Sequence, residues 1–181
     1  MRTRARTITL RDGRTALLSP PEIRDAQALV DNLRQMSGET PFLLRTAEEC
    51  TMTVSGEEAF IRRLLDSPLD VMLVCEAEGS VIGSCSLSRQ PFRKTCHRAE
   101  VALALLKAWW GLGIGRAMLS AMEEEARAMG VAQLNLEYIE GNDRARALCE
   151  RHSFRPAGEH PNAIRLEDGS LRALCLMLRE L

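Results

Sequence analysis

A chain of 181 residues fits one domain and can bury a core without disulfide or metal staples. Charge is nearly balanced, 24 Lys and Arg against 25 Asp and Glu, so no global basic field argues for a nucleic-acid partner. No apolar run approaches the roughly 20 residues of a membrane span, and the first residues are too polar for a secretory signal.

Arginines cluster at the N-terminus (Arg2, Arg4, Arg6, Arg11, Arg14) and read as a solvated basic edge. The residues from Thr7 to Leu18 read as a hairpin turning at Asp12-Gly13. Ser19-Pro20-Pro21-Glu22 combines an N-cap, first-turn prolines and a capping-box acid. The helix it predicts carries Ile23, Ala26, Val30 and Leu33 and ends near Gly38; residues 39–54 show no period and read as a loop. A second capping box, Ser55 to Glu58, opens a helix stopped at Pro68. Residues 71–77 and 81–88, joined at Glu78-Gly79, make an antiparallel pair, and a strand over 97–106 follows.

Next comes a glycine-rich stretch and a helix burying Ile114, Ala117, Met118, Ala121, Met122 and Met129, ending at Gly130. Residues 131–139 read as a strand, Asn142 or Asp143 as the cap of a short helix, and 171–181 as a final strand. Six cysteines (Cys50, Cys75, Cys85, Cys96, Cys149, Cys175) have neither Cys-x-x-Cys nor paired His spacing, so no metal site is expected. Scattered in apolar runs, they fit a reducing, cytoplasmic setting. Nothing marks a domain boundary, and the order is mixed α/β with an antiparallel majority in one domain, 1–181.

Gly111-Leu112-Gly113-Ile114-Gly115-Arg116 stands between a strand and a helix. Glycines there let the backbone approach a ligand, and free N–H groups at a helix start attract phosphate. No Gly-Lys-Ser/Thr follows, so the loop is not a nucleotide-cradling Walker sequence. Antiparallel strands before it, and no third glycine at the dinucleotide spacing, argue against a nicotinamide site. Taken alone, the glycines are equally compatible with a tight helix start.

Two segments together resemble the GCN5-related N-acetyltransferases (GNAT). Trp110-Gly111-Leu112-Gly113-Ile114-Gly115 is similar to that family's Gln/Arg-x-x-Gly-x-Gly/Ala motif. Asn142, Ala145, Leu148 and Phe154 match the family's Asn-x-x-Ala-x-x-Leu-Tyr-x-x-x-Gly-Phe. The loop and the Asp168-Gly169 near the end look closest to a bacterial branch in which Trp-Gly-x-Gly-Ile-Gly is usual. The resemblance implies an α+β fold, a mostly antiparallel twisted sheet of about six or seven strands flanked by about four helices. It also implies acetyl-CoA as co-substrate, an amine acceptor bound near residues 33–54, and dimers as a common state.

By the same resemblance, the strand carrying Leu103 and Leu105 splays from the next one, and their backbone holds the pantetheine arm. Gly111, Gly113, Gly115 and Arg116 would hold the pyrophosphate, and Asn142 would cap its helix and reach the CoA arm. Glu100 stands where relatives carry a base; it also reads as an edge carboxylate paired with Arg98 or a neighbour. Glu137 is a reserve base. Three departures stand out: Trp110 replaces the cation or amide, Ser153 the glycine, and Cys149 the tyrosine that protonates the leaving thiolate. Cys149 therefore reads either as a thiol acid or as core packing, with Tyr138, the only tyrosine, as a substitute. An enzyme and an acyl-CoA-binding module without turnover are both compatible with these departures.

Overall fold

The computed structural model describes residues 4–181. The hairpin forms as β1 (Arg6–Thr9) and β2 (Thr15–Ser19), with the Gly13 N–H donating to the Leu10 carbonyl across the turn. Ser19 ends β2 instead of capping a helix. The cap lies three residues on, where the Glu22 N–H donates to the Asp25 carboxylate at 2.7 Å. That box opens a 3₁₀ turn (Ile23–Asp25) running into α1 (Ala26–Glu39). The second cap also moves: Thr53, not Ser55, accepts from the Gly56 N–H at 3.1 Å and starts α2 (Val54–Asp66). In both cases more than one polar side chain lay within reach of the first turn, and backbone direction chose between them.

β3 (Asp70–Ala77) and β4 (Ser80–Arg89) follow, turning at Glu78-Gly79 with positive φ at both residues, the form that matches strand twist. Then come β5 (Arg98–Leu105), a 3₁₀ turn (Lys107–Trp109), α3 (Ile114–Ala128) and β6 (Gln133–Ile139). The chain closes with α4 (Asp143–Arg151), β7 (Arg155–Arg165) and β8 (Leu171–Glu180). One eight-stranded sheet, in the order β1-β2-β3-β4-β5-β6-β8-β7, contains them all. Every pairing is antiparallel except β5 with β6.

β7 is the strand the sequence does not announce. Nearly all its positions are exposed, and Pro156, Gly158 and Pro161 interrupt any alternation. It survives as an edge strand, bulged twice against β8, the location where proline is tolerated.

Two apolar layers fix the helices. On one face Ala26, Leu29, Ile61 and Leu64 of α1 and α2 bury Met72, Val74 and Val81. On the other, Ile114, Met118 and Met122 of α3 and Cys149 of α4 bury Leu73, Leu87, Ala99, Val101 and Leu134. Ile114, Met118 and Met122 are at most 1% exposed, and each such burial is worth about 1.5–3 kcal/mol. No helix among the described residues is long and apolar enough to cross a membrane.

The basic N-terminus is not a free edge. Arg2 lies outside the described residues, but Arg6 pairs with Glu124 (2.6 Å) and Glu125 (3.7 Å) of α3. Arg14 pairs with Asp12 and Glu78 and stacks 4.4 Å from the Trp109 ring centroid. These arginines clamp the first hairpin to elements about a hundred residues away.

Ser153, in the family's glycine position, takes a left-handed φ of 61° just past α4. A side chain there costs about 1–2 kcal/mol, offset in part by glycine's greater unfolded-state freedom. Ser153→Gly should therefore raise stability by up to about 1 kcal/mol, read as a melting temperature about 2–4 °C higher.

Candidate active site

The sheet opens at its centre. β5 and β6 pair in parallel over only Arg98–Gln133, Ala99–Leu134 and Glu100–Asn135. Beyond Glu100 the strands diverge, although β5 continues to Leu105 and β6 to Ile139. On its other edge β5 stays registered with β4 as far as Leu105 opposite Gly83. The Leu106 N–H donates to the Ile82 carbonyl, so the antiparallel alternation turns the main-chain groups of Leu103 and Leu105 away from β4, into the opening. The Leu105 carbonyl already accepts from the Trp110 indole Nε1 at 2.8 Å.

The glycine loop lies just beyond the C-terminal end of that opening. Gly111 (φ 83°) and Gly113 (φ 95°) adopt left-handed conformations, which explains glycine at both. Gly115 is helical and answers a different need: a Cβ there would sit 3.1 Å from Leu148 and 3.8 Å from Leu103. Gly113 is the N-cap of α3, and no side chain caps this helix, unlike α2 and α4. The first N–H groups of α3 therefore face outward with the positive end of the helix dipole behind them.

The candidate acid–base residues divide between the two faces of the sheet. Ala99 and Val101 point into the α3 and α4 layer, so Glu100 points to the α1 and α2 side, at the fork itself. It is exposed, makes no ion pair with Arg98, and accepts from Gln90 Nε2 at 3.1 Å. Glu137 shares its face. Tyr138 lies on the opposite face beside Cys175, and burial, then its hydrogen bond to Cys175, raise its pKa. Cys149 is 1% exposed within the core, and burial pushes its thiol up to about 11. That is a packing environment, in which a thiol is less reactive. Asn142 Oδ1 accepts from the Ala145 N–H at 3.1 Å and so acts as the cap of α4.

Two features escape sequence reasoning because they join distant segments, and a third gives contacts to the region expected near 33–54. Arg11 donates its backbone N–H to the Leu112 carbonyl at 3.1 Å and its guanidinium to that of Gly111 at 3.4 Å. Arg144, on α4, stacks 4.8 Å from the Trp110 ring centroid. The loop over residues 40–53 spans the far end of the opening: Glu39 accepts from the Lys107 N–H at 2.7 Å, and the Phe42 ring lies 3.6 Å from where a Gly141 Cβ would stand.

The family profile described as "Acetyltransferase (GNAT) family" matches residues 40–154, more than half of the chain. The chain belongs to the GNAT acetyltransferase family. Among solved structures it is similar to a GNAT-family acetyltransferase from Streptococcus pneumoniae, at TM-score 0.86 and 24% identity, covering 92% of this chain and 99% of that one. A ribosomal-protein-alanine N-acetyltransferase from Brucella melitensis gives TM-score 0.80 and 24% identity, with 91% and 99% covered. The putative acetyltransferase yncA from Salmonella typhimurium, solved with acetyl-CoA, gives TM-score 0.77 and 21% identity, with 92% and 94% covered. No curated protein sequence matches at a significant level. The fold is the expected mostly antiparallel α+β sheet with four α-helices, one strand larger than the upper expectation.

Behind the glycine helix sits a buried imidazole. His152 is 7% exposed, its Nε2 has no partner, and Arg179, Arg116 and Glu123 surround it. Burial, then the two guanidiniums, lower its pKa below the usual 6.5. The unfolded chain thus binds this proton more readily, and stability must fall as pH drops below about 6.5 towards the folded-state pKa. Urea midpoints between pH 7.5 and 5.5 should decline less for His152→Gln than for the unsubstituted protein. Equal declines would remove His152 as the source.

Proposed function

We propose that the protein transfers an acetyl group from acetyl-CoA to a primary amine, of a small molecule or a protein N-terminus, by direct attack in a ternary complex. The parting of β5 from β6 at Glu100 carries this reading, because it turns the main-chain groups of Leu103 and the N–H of Leu105 into an opening that begins at a carboxylate, the Leu105 carbonyl being taken by Trp110. Leu103 and Leu105 suit the amides of a pantetheine arm as a pseudo-strand would. The uncapped start of α3, with Gly111, Gly113, Gly115 and Arg116, suits the pyrophosphate. The acetyl-CoA reported with the Salmonella neighbour and the ribosomal-protein name of the Brucella one are consistent with this assignment. The single sheet supports treating 1–181 as one acetyltransferase domain, and six unpaired cysteines suit a cytoplasmic setting.

In the reaction the amine nitrogen attacks the thioester carbonyl. A C–N bond forms, the C–S bond breaks, and CoA leaves as a thiolate. An alkylammonium near pKa ~10 must first lose a proton, and Glu100, exposed at the fork and held by neutral Gln90, is the candidate base. Glu137 on the same face is the reserve. For the thiolate, Tyr138 is the better donor candidate, because Cys149 is enclosed in the core. Acceptor selection falls to the loop over 40–53, which spans the end of the opening.

Acetyl-CoA at 100 times its Kd should stabilise the protein by about 2.7 kcal/mol in thermal unfolding, while ATP and NAD should not. Thiol release with a panel of amines, including peptides with a free N-terminus, should reveal turnover that Glu100→Gln lowers about 10²–10⁴-fold. Binding of acetyl-CoA without turnover of any amine would reduce the protein to an acyl-CoA-binding module.

A further inference from the structure

Arg144 occupies a place that packing alone does not explain. It projects from the first turn of α4, where the helix dipole disfavours a cation. Its guanidinium lies over the Trp110 ring, 4.8 Å from the centroid, and its Nη2 is 3.7 Å from the position a Cβ would take on Gly111. Trp110 is itself fixed, since its indole Nε1 donates to the Leu105 carbonyl at 2.8 Å. A ring tied to the end of β5 thus serves as the platform that holds a guanidinium against the glycine loop.

The same guanidinium forms no ion pair among the described residues, whereas Arg146, two residues on, is neutralised by Glu150 at 2.8 Å. No acidic residue lies in the first turn of α3 either. Two guanidiniums reach the loop, Arg144 from α4 and Arg11 from the first hairpin, at the positive end of the α3 dipole. Arg11 already donates to the Gly111 carbonyl, and Arg116 follows the loop on the helix. Arg144 is held beside the loop by stacking, and its guanidinium makes no hydrogen bond or ion pair among the described residues.

We infer that Arg144 is a binding residue for the diphosphate of CoA, reaching the glycine loop from α4 and oriented by Trp110. The inference rests on the acetyl-CoA reading above and assigns a further residue to that site. A planar guanidinium fork matches two phosphate oxygens, and the aromatic platform limits the freedom lost when they bind.

Titration calorimetry on the full chain separates the contributions, using CoA, dephospho-CoA (diphosphate, no 3′-phosphate) and 4′-phosphopantetheine (one phosphate). Arg144→Ala should weaken CoA and dephospho-CoA alike, by about tenfold or more, and phosphopantetheine markedly less. Arg144→Lys, which keeps the charge but not the fork, should recover only part of the loss. Trp110→Leu should reproduce part of it while Arg144 remains. In turnover the KM for acetyl-CoA should rise with little change in kcat. Arg144 is exposed, so its variants should melt close to the parent protein. Unchanged CoA affinity in Arg144→Ala would overturn the inference with the acetyl-CoA reading intact. Loss confined to CoA, with dephospho-CoA unaffected, would move Arg144 to the 3′-phosphate and overturn the diphosphate assignment. An equal loss for all three ligands would make its role structural. If the unsubstituted protein binds none of them, the acetyl-CoA reading itself fails.

Discussion

Everything that gives this molecule a site follows from three backbone pairs. Parallel pairing of β5 and β6 stops at Glu100 and Asn135, in the middle of the sheet. A buried strand edge with unmet N–H and C=O groups is normally an expensive defect. Here the fold sustains it because each strand is anchored on its other side, β5 by β4 and β6 by β8, while α3 and α4 cover one face below. An opening held by its flanks keeps its shape before any ligand arrives. The main-chain groups of Leu103 and the N–H of Leu105 face that opening, and Glu100 stands where it begins.

The loop at the end of that edge is held by parts drawn from far apart. Arg11 ties it to the first hairpin, Trp110 ties it to β5, and Leu148 of α4 packs against Gly115. Each glycine therefore has its own reason. Two need a backbone conformation that side chains resist, and one leaves room for a neighbouring helix. Treating the three as one phosphate-binding signature would conceal that difference.

Much of this was readable in the sequence where chemistry is local. The Glu78-Gly79 turn appears as expected, and α3 buries Ile114, Met118, Ala121 and Met122 while Ala117 and Met129 are only partly buried; of the two expected caps of α4, Asn142 serves. Reading failed where several residues could serve or where the partner is distant. Thr53 and Ser55 both offer a hydroxyl to the same helix turn. β7 has no alternation because it is exposed on both faces and stands only by pairing with β8. The N-terminal arginines look solvated until the fold brings Glu124 and Trp109 to them. Cys149 kept two readings until burial favoured one. The residue roles around the fork came from resemblance; geometry adds which face each side chain occupies.

The clamped hairpin has a temporal side. Arg6 meets a carboxylate 118 positions later in the chain, and Arg11 a carbonyl 101 positions later. The first strands to leave the ribosome are thus among the last to acquire their partners, after a loop closure that spans more than half the protein. Until α3 has been made and docked, the hairpin is held by its own pairing, by β2–β3 pairing and by Arg14 against Glu78 and Trp109. Assembly of the glycine loop is thereby coupled to completion of the core, so a chain that has not finished folding presents no finished cradle.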